Sequence, residues 1–233
     1  MKKSKYSSFE IDEIKKCMAD PIYFMTTYVK IQHPVKGQIN FNATEEQCEY
    51  IDACDDYRFV IASFERQKGK TTAGAAYLLW KVLFHPDLTI LACGAKHEHA
   101  REILWRIRYS YECLPEFLQP STTTWNKGCI EFENGSRIIG NGITANTAKG
   151  LTVSLLYIDE FAFVEPKSAK EFWSSIAPTL STGADCIISS TGNGENDNMF
   201  KNIWMDSITN EVNGIGINGF KSVGKYTVLN RRW

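Results

Sequence analysis

Hydrophobic and polar positions follow two rhythms along this chain. Mostly apolar runs at Arg58 to Ser63, Leu88 to Cys93, Val153 to Ile158 and Asp185 to Ser189 predict strands buried on both faces, the habit of a parallel sheet. Elsewhere the apolar positions recur at helical spacing. Phe9 to Met18 carries Phe9, Ile11, Ile14, Cys17 and Met18, and Pro21 opens a second helix with Tyr23, Phe24, Thr27 and Tyr28 on its apolar side. After a turn at His33-Pro34-Val35-Lys36-Gly37, Thr44 caps a third helix. Further helices are predicted over Thr71 to Phe84, His97 to Cys113, Lys167 to Leu180 and Met199 to Ile208. Glu133-Asn134-Gly135 lies between alternating runs at Gly128 to Phe132 and Ser136 to Gly140, which predicts a β-hairpin projecting from the sheet, with Trp125 before it. A last, glycine-spaced strand is expected over Gly214 to Ser222. Strands alternating with helices predict an α/β fold.

Composition narrows this picture. At 233 residues, with 43% hydrophobic and 12% aromatic positions, the chain can bury a sizeable core. The pattern divides it into an N-terminal helical lid or brace, residues 1–43, and a main domain, residues 44–233. A net charge of −1 excludes a global basic field, so any nucleic-acid contact must use a local patch. The seven cysteines form no C-x-x-C and read as reduced, mostly buried thiols, and the four histidines have no metal-ligand spacing. No apolar run reaches the length of a membrane span, so no membrane partner is expected.

The chemistry concentrates in Ser63-Phe64-Glu65-Arg66-Gln67-Lys68-Gly69-Lys70-Thr71-Thr72, between the first core strand and its helix. Strand, tight basic loop, helix is the setting of a phosphate-binding loop. The first N–H groups of a helix lack intrahelical acceptors, so an anion can satisfy them. Lys70 brings positive charge to the β- and γ-phosphates, and the Thr71 hydroxyl can ligate Mg²⁺. Phe64 stands where the general pattern G-x-x-x-x-G-K-[ST] has its first glycine. Gly69-Lys70-Thr71 alone is common by chance.

A second stretch, Leu155-Leu156-Tyr157-Ile158-Asp159-Glu160, is an apolar strand ending in two carboxylates. Nucleotide hydrolysis needs one carboxylate near the metal and a group that activates water. Neighbouring side chains of a strand face opposite ways, so Asp159 is assigned to the metal and Glu160 to the γ-phosphate. Ser190 and Thr191, at the end of another core strand, bring hydroxyls to the same place, although an ordinary Ser/Gly loop reads equally well. Gln47 has two readings: partner of Thr44 in a T-x-x-Q capping box, or an amide reading the adenine edge. Arg101, Arg106 and Arg108 read as a solvated helix face, with a DNA-facing role as the lesser reading.

Taken in order, these features resemble the ATPase domain of the large terminase subunit, the DNA-packaging motor of tailed bacteriophages. The resemblance runs from about Pro21 to Trp233. It rests on Asp20-Pro21-Ile22-Tyr23-Phe24, Val29-Lys30-Ile31-Gln32-His33-Pro34, Gln47, Arg66-Gln67-Lys68-Gly69-Lys70-Thr71-Thr72, Leu114-Pro115-Glu116-Phe117-Leu118-Gln119-Pro120, Trp125-Asn126-Lys127-Gly128, Glu133-Asn134-Gly135-Ser136, Tyr157-Ile158-Asp159-Glu160-Phe161-Ala162-Phe163 and Ser190-Thr191-Gly192-Asn193-Gly194. The family's loop begins Ser-Arg-Gln, which accounts for the missing glycine; here Glu65 replaces that serine.

The resemblance implies a P-loop NTPase of the additional-strand (ASCE, RecA-like) type: a mainly parallel sheet with helices on both faces, a β-hairpin insertion and N-terminal helices. The strand ending at Ser189 should lie between those ending at Ser63 and Glu160. It also implies ATP and Mg²⁺, with Glu160 as base, Lys70 and Arg66 as cations, and a second cation donated by a neighbouring subunit. Many relatives place an arginine before the glycine that here is Gly150; this chain has Lys149. The implied partners are double-stranded DNA, the portal protein, the small terminase subunit and further copies of the chain in a ring on the portal. The implied location is the cytoplasm of the infected bacterium, transiently at the procapsid portal. Relatives carry a C-terminal nuclease with clustered carboxylates; no such cluster follows the ATPase motifs here, so no nuclease activity is expected of this chain. The rival readings are a helicase-like ATPase and a nucleotide-dependent assembly scaffold.

Overall fold

The computed structural model describes residues 6–147, 150–193, 198–211 and 220–224. The helices are α1 (Ser8–Ala19), α2 (Pro21–Tyr28), α3 (Glu45–Asp56), α4 (Lys70–Phe84), α5 (His97–Glu112), α6 (Pro166–Ser181) and α7 (Met199–Glu211). The strands are β1 (Lys30–His33), β2 (Gly37–Asn40), β3 (Phe59–Ser63), β4 (Thr89–Gly94), β5 (Thr122–Trp125), β6 (Cys129–Phe132), β7 (Arg137–Gly142), β8 (Leu155–Asp159), β9 (Asp185–Ser190) and β10 (Lys221–Gly224). An eight-stranded sheet runs in the order β10-β3-β9-β8-β4-β7-β6-β5, parallel from β10 through β7 and antiparallel beyond. Strand β9 lies between β3 and β8, the order that defines the additional-strand P-loop ATPases, and the fold is α/β of that type.

Alternation along the central strands feeds two cores. Val60, Ala62, Ile90, Ala92, Tyr157 and Ile187 pack with α2 to α5 on one face. Ile61, Leu91, Cys93, Ile158 and Ile188 pack with α6 and α7 on the other. Both faces are covered, so the strands are apolar throughout.

Glycine sets one close approach that matters for the site. A Cβ added to Gly74 would stand 2.2 Å from the Tyr157 hydroxyl. The missing side chain lets the first turns of α4 lie against β8.

One expectation needs correction. The Asn134-Gly135 hairpin does not project from the sheet; it extends it. Strand β7 pairs in parallel with all of β4, and β6 and β5 follow in the same sheet. The open edge of β4 carries N–H and C=O groups that need partners, and β7 supplies them while burying Ile138. The turn itself has three residues, with the Gly135 N–H bonded to Phe132 O and Gly135 at φ +83°. Among the described residues the last strand is Lys221–Gly224, which shares Lys221 and Ser222 with the expected Gly214 to Ser222; residues 214–219 lie outside the described residues. A short β1–β2 hairpin around the His33 to Gly37 turn, with the His33 Nδ1 accepting the N–H groups of Val35 and Lys36, has too little periodicity to read from sequence.

The N-terminal helices share the core with α4. Trp80 Nε1 donates to Cys17 O at 2.7 Å, and Phe24 meets Phe84 edge-on at 5.4 Å. Buried Glu13 ties α1 to α2, accepting from Lys16 Nζ at 2.7 Å, Tyr23 Oη at 2.7 Å and Tyr28 Oη at 2.6 Å. Those donors, Lys16 first and then the tyrosines, hold its carboxyl well below the usual carboxylate range, at about 2.

Two predictions follow the packing. Gly74→Ala should raise helix propensity yet destabilise by about 1–3 kcal/mol, because overpacking against Tyr157 outweighs the propensity gain. Denaturant midpoints measure this, and an unchanged or higher midpoint refutes the close approach. For Glu13, the unfolded chain takes up a proton near pH ~4.3 while the folded chain holds out to about 2. Its stabilisation is therefore full above that unfolded value and lost as pH falls through the interval. Unfolding midpoints of parent and Glu13→Gln should differ most near neutrality and converge toward acid; a gap constant with pH refutes the ionic role.

Candidate active site

Strand β3 ends at Ser63, and the chain turns through residues 64–69 into α4. Phe64 is buried against Tyr50 of α3, ring centroids 5.4 Å apart, and its N–H donates to Ser190 O. It anchors the loop from below, where a first glycine would anchor nothing. Gln67 and Gly69 take left-handed φ values of 64° and 74°, bending the loop tightly enough to reach α4. No side chain caps α4, so the N–H groups of its first turn are left for a ligand.

Across the cleft, β8 delivers Asp159 and Glu160. Asp159 is buried and saturated with donors: Oδ1 accepts from Lys70 Nζ at 3.0 Å, Ser189 Oγ at 2.8 Å and the Glu160 N–H at 3.0 Å. Its Oδ2 accepts from Thr71 Oγ1 at 2.6 Å. Glu160 sits at φ +59°, a conformation that costs a non-glycine residue about 1–2 kcal/mol. That backbone turns its carboxylate back to Lys70 Nζ at 2.5 Å, and leaves Oε2 buried without a partner. Burial pulls the Lys70 pKa down, but Asp159 and Glu160 outweigh it, so the ammonium is held above its ordinary value.

The cleft measures ≈ 530 Å³, within the range of small-molecule sites. Arg66, Gln67, Lys68, Gly69, Lys70, Thr71, Thr72, Asp159, Glu160 and Thr191 all line it, as does Glu65, so most of the residues named from sequence converge. Three do not. Ser190 is fully buried and its hydroxyl accepts the Ala162 N–H at 3.1 Å, on the side of β9 away from the cleft. The strand period of two puts Ser189 and Thr191 on the site's side instead, a signal present in the sequence. Gln47 is buried behind the loop: Oε1 accepts the Thr44 N–H at 3.0 Å and Nε2 donates to Lys68 O at 2.9 Å. Its amide is engaged as cap and loop support, and it does not line the cleft. Lys149 lies outside the described residues. Sequence reading also missed His99, Glu102, Arg106 and Phe163, which line the cleft. The first three recur at i, i+3 and i+7 of α5, a stripe that helical spacing alone reveals.

Residues 61–225 match the protein family described as terminase large subunit, T4likevirus-type, N-terminal. The chain belongs to this terminase family. Terminase structures share its fold. The large terminase of HK97 bacteriophage has a TM-score of 0.69 at 17% identity, over 83% of this chain and 42% of that one. The large terminase ATPase domain of Thermus phage P74-26 has a TM-score of 0.57 at 21% identity, over 72% and 75% of the two chains. A large terminase from a thermophilic bacteriophage, solved in complex with ADP, has a TM-score of 0.57 at 13% identity, over 77% and 44%. The chain thus spans less than half the length of two of these terminases.

Gln47→Glu separates the two jobs of this amide. It keeps the acceptor for Thr44 but sets a carboxylate oxygen against Lys68 O, so the loop loses its support: the thermal midpoint should fall, and nucleotide affinity should fall about fivefold or more, the worth of at least one hydrogen bond. ATP and GTP competition should show equal losses; a loss confined to ATP means that Gln47 reads adenine after all.

Proposed function

We propose that this chain is the ATP-hydrolysing motor domain of a phage DNA-packaging terminase. The observation that carries the reading is one cluster: Lys70, Thr71, Asp159 and Glu160 within direct hydrogen-bond reach across a strand–loop–helix phosphate site. The loop and α4 N–H groups bind the phosphates of ATP, and Lys70 exchanges Glu160 for phosphate oxygens. Released, the Glu160 carboxylate accepts a proton from the attacking water. The Thr71 hydroxyl and the Asp159 carboxylate are the hard oxygen donors that would hold Mg²⁺, which when bound neutralises charge on the β- and γ-phosphates. Arg66, on the loop itself, stabilises developing charge in cis. The substrate moved is double-stranded DNA. The partners are a portal protein, a small terminase subunit and further copies of the chain in a ring, in the cytoplasm of the infected bacterium and at the procapsid portal.

Phosphate release from Mg·ATP, with and without double-stranded DNA and portal-bearing procapsids, tests the reading. Glu160→Gln should retain ATP binding and lose turnover by about 10²–10⁴-fold, while Lys70→Ala weakens binding itself. A Glu160→Gln protein that hydrolyses ATP like the parent rules out this base. Parent protein that binds ATP and never turns it over, with or without DNA and procapsids, is instead a scaffold.

A further inference from the structure

Helix α5 forms the cleft wall that faces the phosphate loop, through His99, Glu102 and Arg106. Arg106 reaches across to α4. Its Nη1 donates to Thr72 Oγ1 at 2.9 Å, and its Nη2 pairs with Glu102 Oε1 at 2.8 Å. The remaining edge is different: the Nε–H is shut off from solvent and has no acceptor. A buried N–H without a partner is unfavourable, so a movement of the guanidinium that gives the Nε–H an acceptor is favoured. A hydroxyl is also a weak partner for a guanidinium, which pairs best with the two-pronged oxygens of phosphate or carboxylate.

The register says which end of the substrate this wall meets. Helix α5 follows β4, and Gly94 at the end of β4 pairs with Asp159 of β8. The wall therefore rises beside the Asp159–Glu160 carboxylates, where the γ-phosphate is hydrolysed. Helix α3 and Gln47 support the loop from another side, through Lys68 O.

We propose that Arg106 is a nucleotide-binding residue acting in cis: it exchanges the Thr72 hydroxyl for an oxygen of the γ-phosphate and so distinguishes ATP from ADP. This rests on the ATPase reading above and adds a specificity residue to it. Glu102, half-exposed at its side chain, keeps the guanidinium oriented through the exchange. The loop N–H groups, which serve ATP and ADP alike, do not supply this discrimination.

Calorimetric titration with Mg²⁺ and either ATP-γ-S or ADP tests it, on parent, Arg106→Ala, Arg106→Gln and Arg106→Lys, each checked for a parental thermal transition. The parent should prefer ATP-γ-S. Arg106→Ala and Arg106→Gln should lose affinity for ATP-γ-S by about tenfold or more, in line with one charge-assisted bond, and keep ADP affinity within about twofold. Arg106→Lys should recover part of the preference, because it restores charge without the fork. Equal losses for both nucleotides assign Arg106 to loop support through Thr72 and overturn the proposal. So does an unchanged ratio in a parent that separates the two nucleotides. A parent that binds neither nucleotide overturns the ATPase reading itself.

Discussion

The ammonium of Lys70 sits at the junction on which the molecule turns. It lies at the first residue of α4, faces the last residue of β8, and is shared between the Asp159 and Glu160 carboxylates. A buried cation is tolerated only with close anionic partners, so the helix and the strand must be fixed against each other to within a hydrogen-bond length. Gly74 allows that approach, and Tyr157 fills the space it leaves. In the proposed function, substrate phosphates would take over part of this same ammonium, so binding and reorganisation of the carboxylates would be one event.

Strain collects at the same junction. Among the described residues the non-glycine positions with positive φ are Gln67, Asp87 and Glu160, and two of these three border the cleft. Left-handed backbone of this kind persists where surrounding contacts over-determine it. For Glu160 the contacts are the Asp159 carboxylate on its N–H and the Phe163 N–H on its carbonyl. Glu160, the proposed base, is thus held by its backbone while its carboxylate bonds the Lys70 ammonium that substrate would compete for.

Much of this was legible from residues alone, and the failures have physical causes. The four central strands read out because burial on both faces leaves no polar alternation to confuse. The Gly69-Lys70-Thr71 loop and the Asp159-Glu160 pair read out because their chemistry is confined to strand ends. The hairpin at Asn134-Gly135 was recognisable, but not its docking on β4, because a long-range pairing leaves no local mark. Ser190 was chosen over Ser189 although the period of two decides between them. Gln47 carried both of its meanings in one residue, and only tertiary structure shows what its amide touches. Arg106 looked solvated because arginines on helices usually are; its reach to Thr72 depends on how α5 packs against α4.

Strand β3 bears the phosphate loop, yet both its neighbours in the sheet, β9 and β10, lie far later in the chain. A ribosome therefore delivers the loop long before anything can hold it. Until β9 emerges, both edges of β3 have open hydrogen-bonding groups and Val60 and Ile61 lack much of their cover, the condition in which nascent chains mispair. Pairings so distant in sequence also close slowly. The pocket is consequently among the last features to be born, and the nucleotide of the proposed function would bind only a chain whose sheet has closed. Bound nucleotide would then act as a latch on maturation, stabilising finished molecules over unfinished ones by mass action.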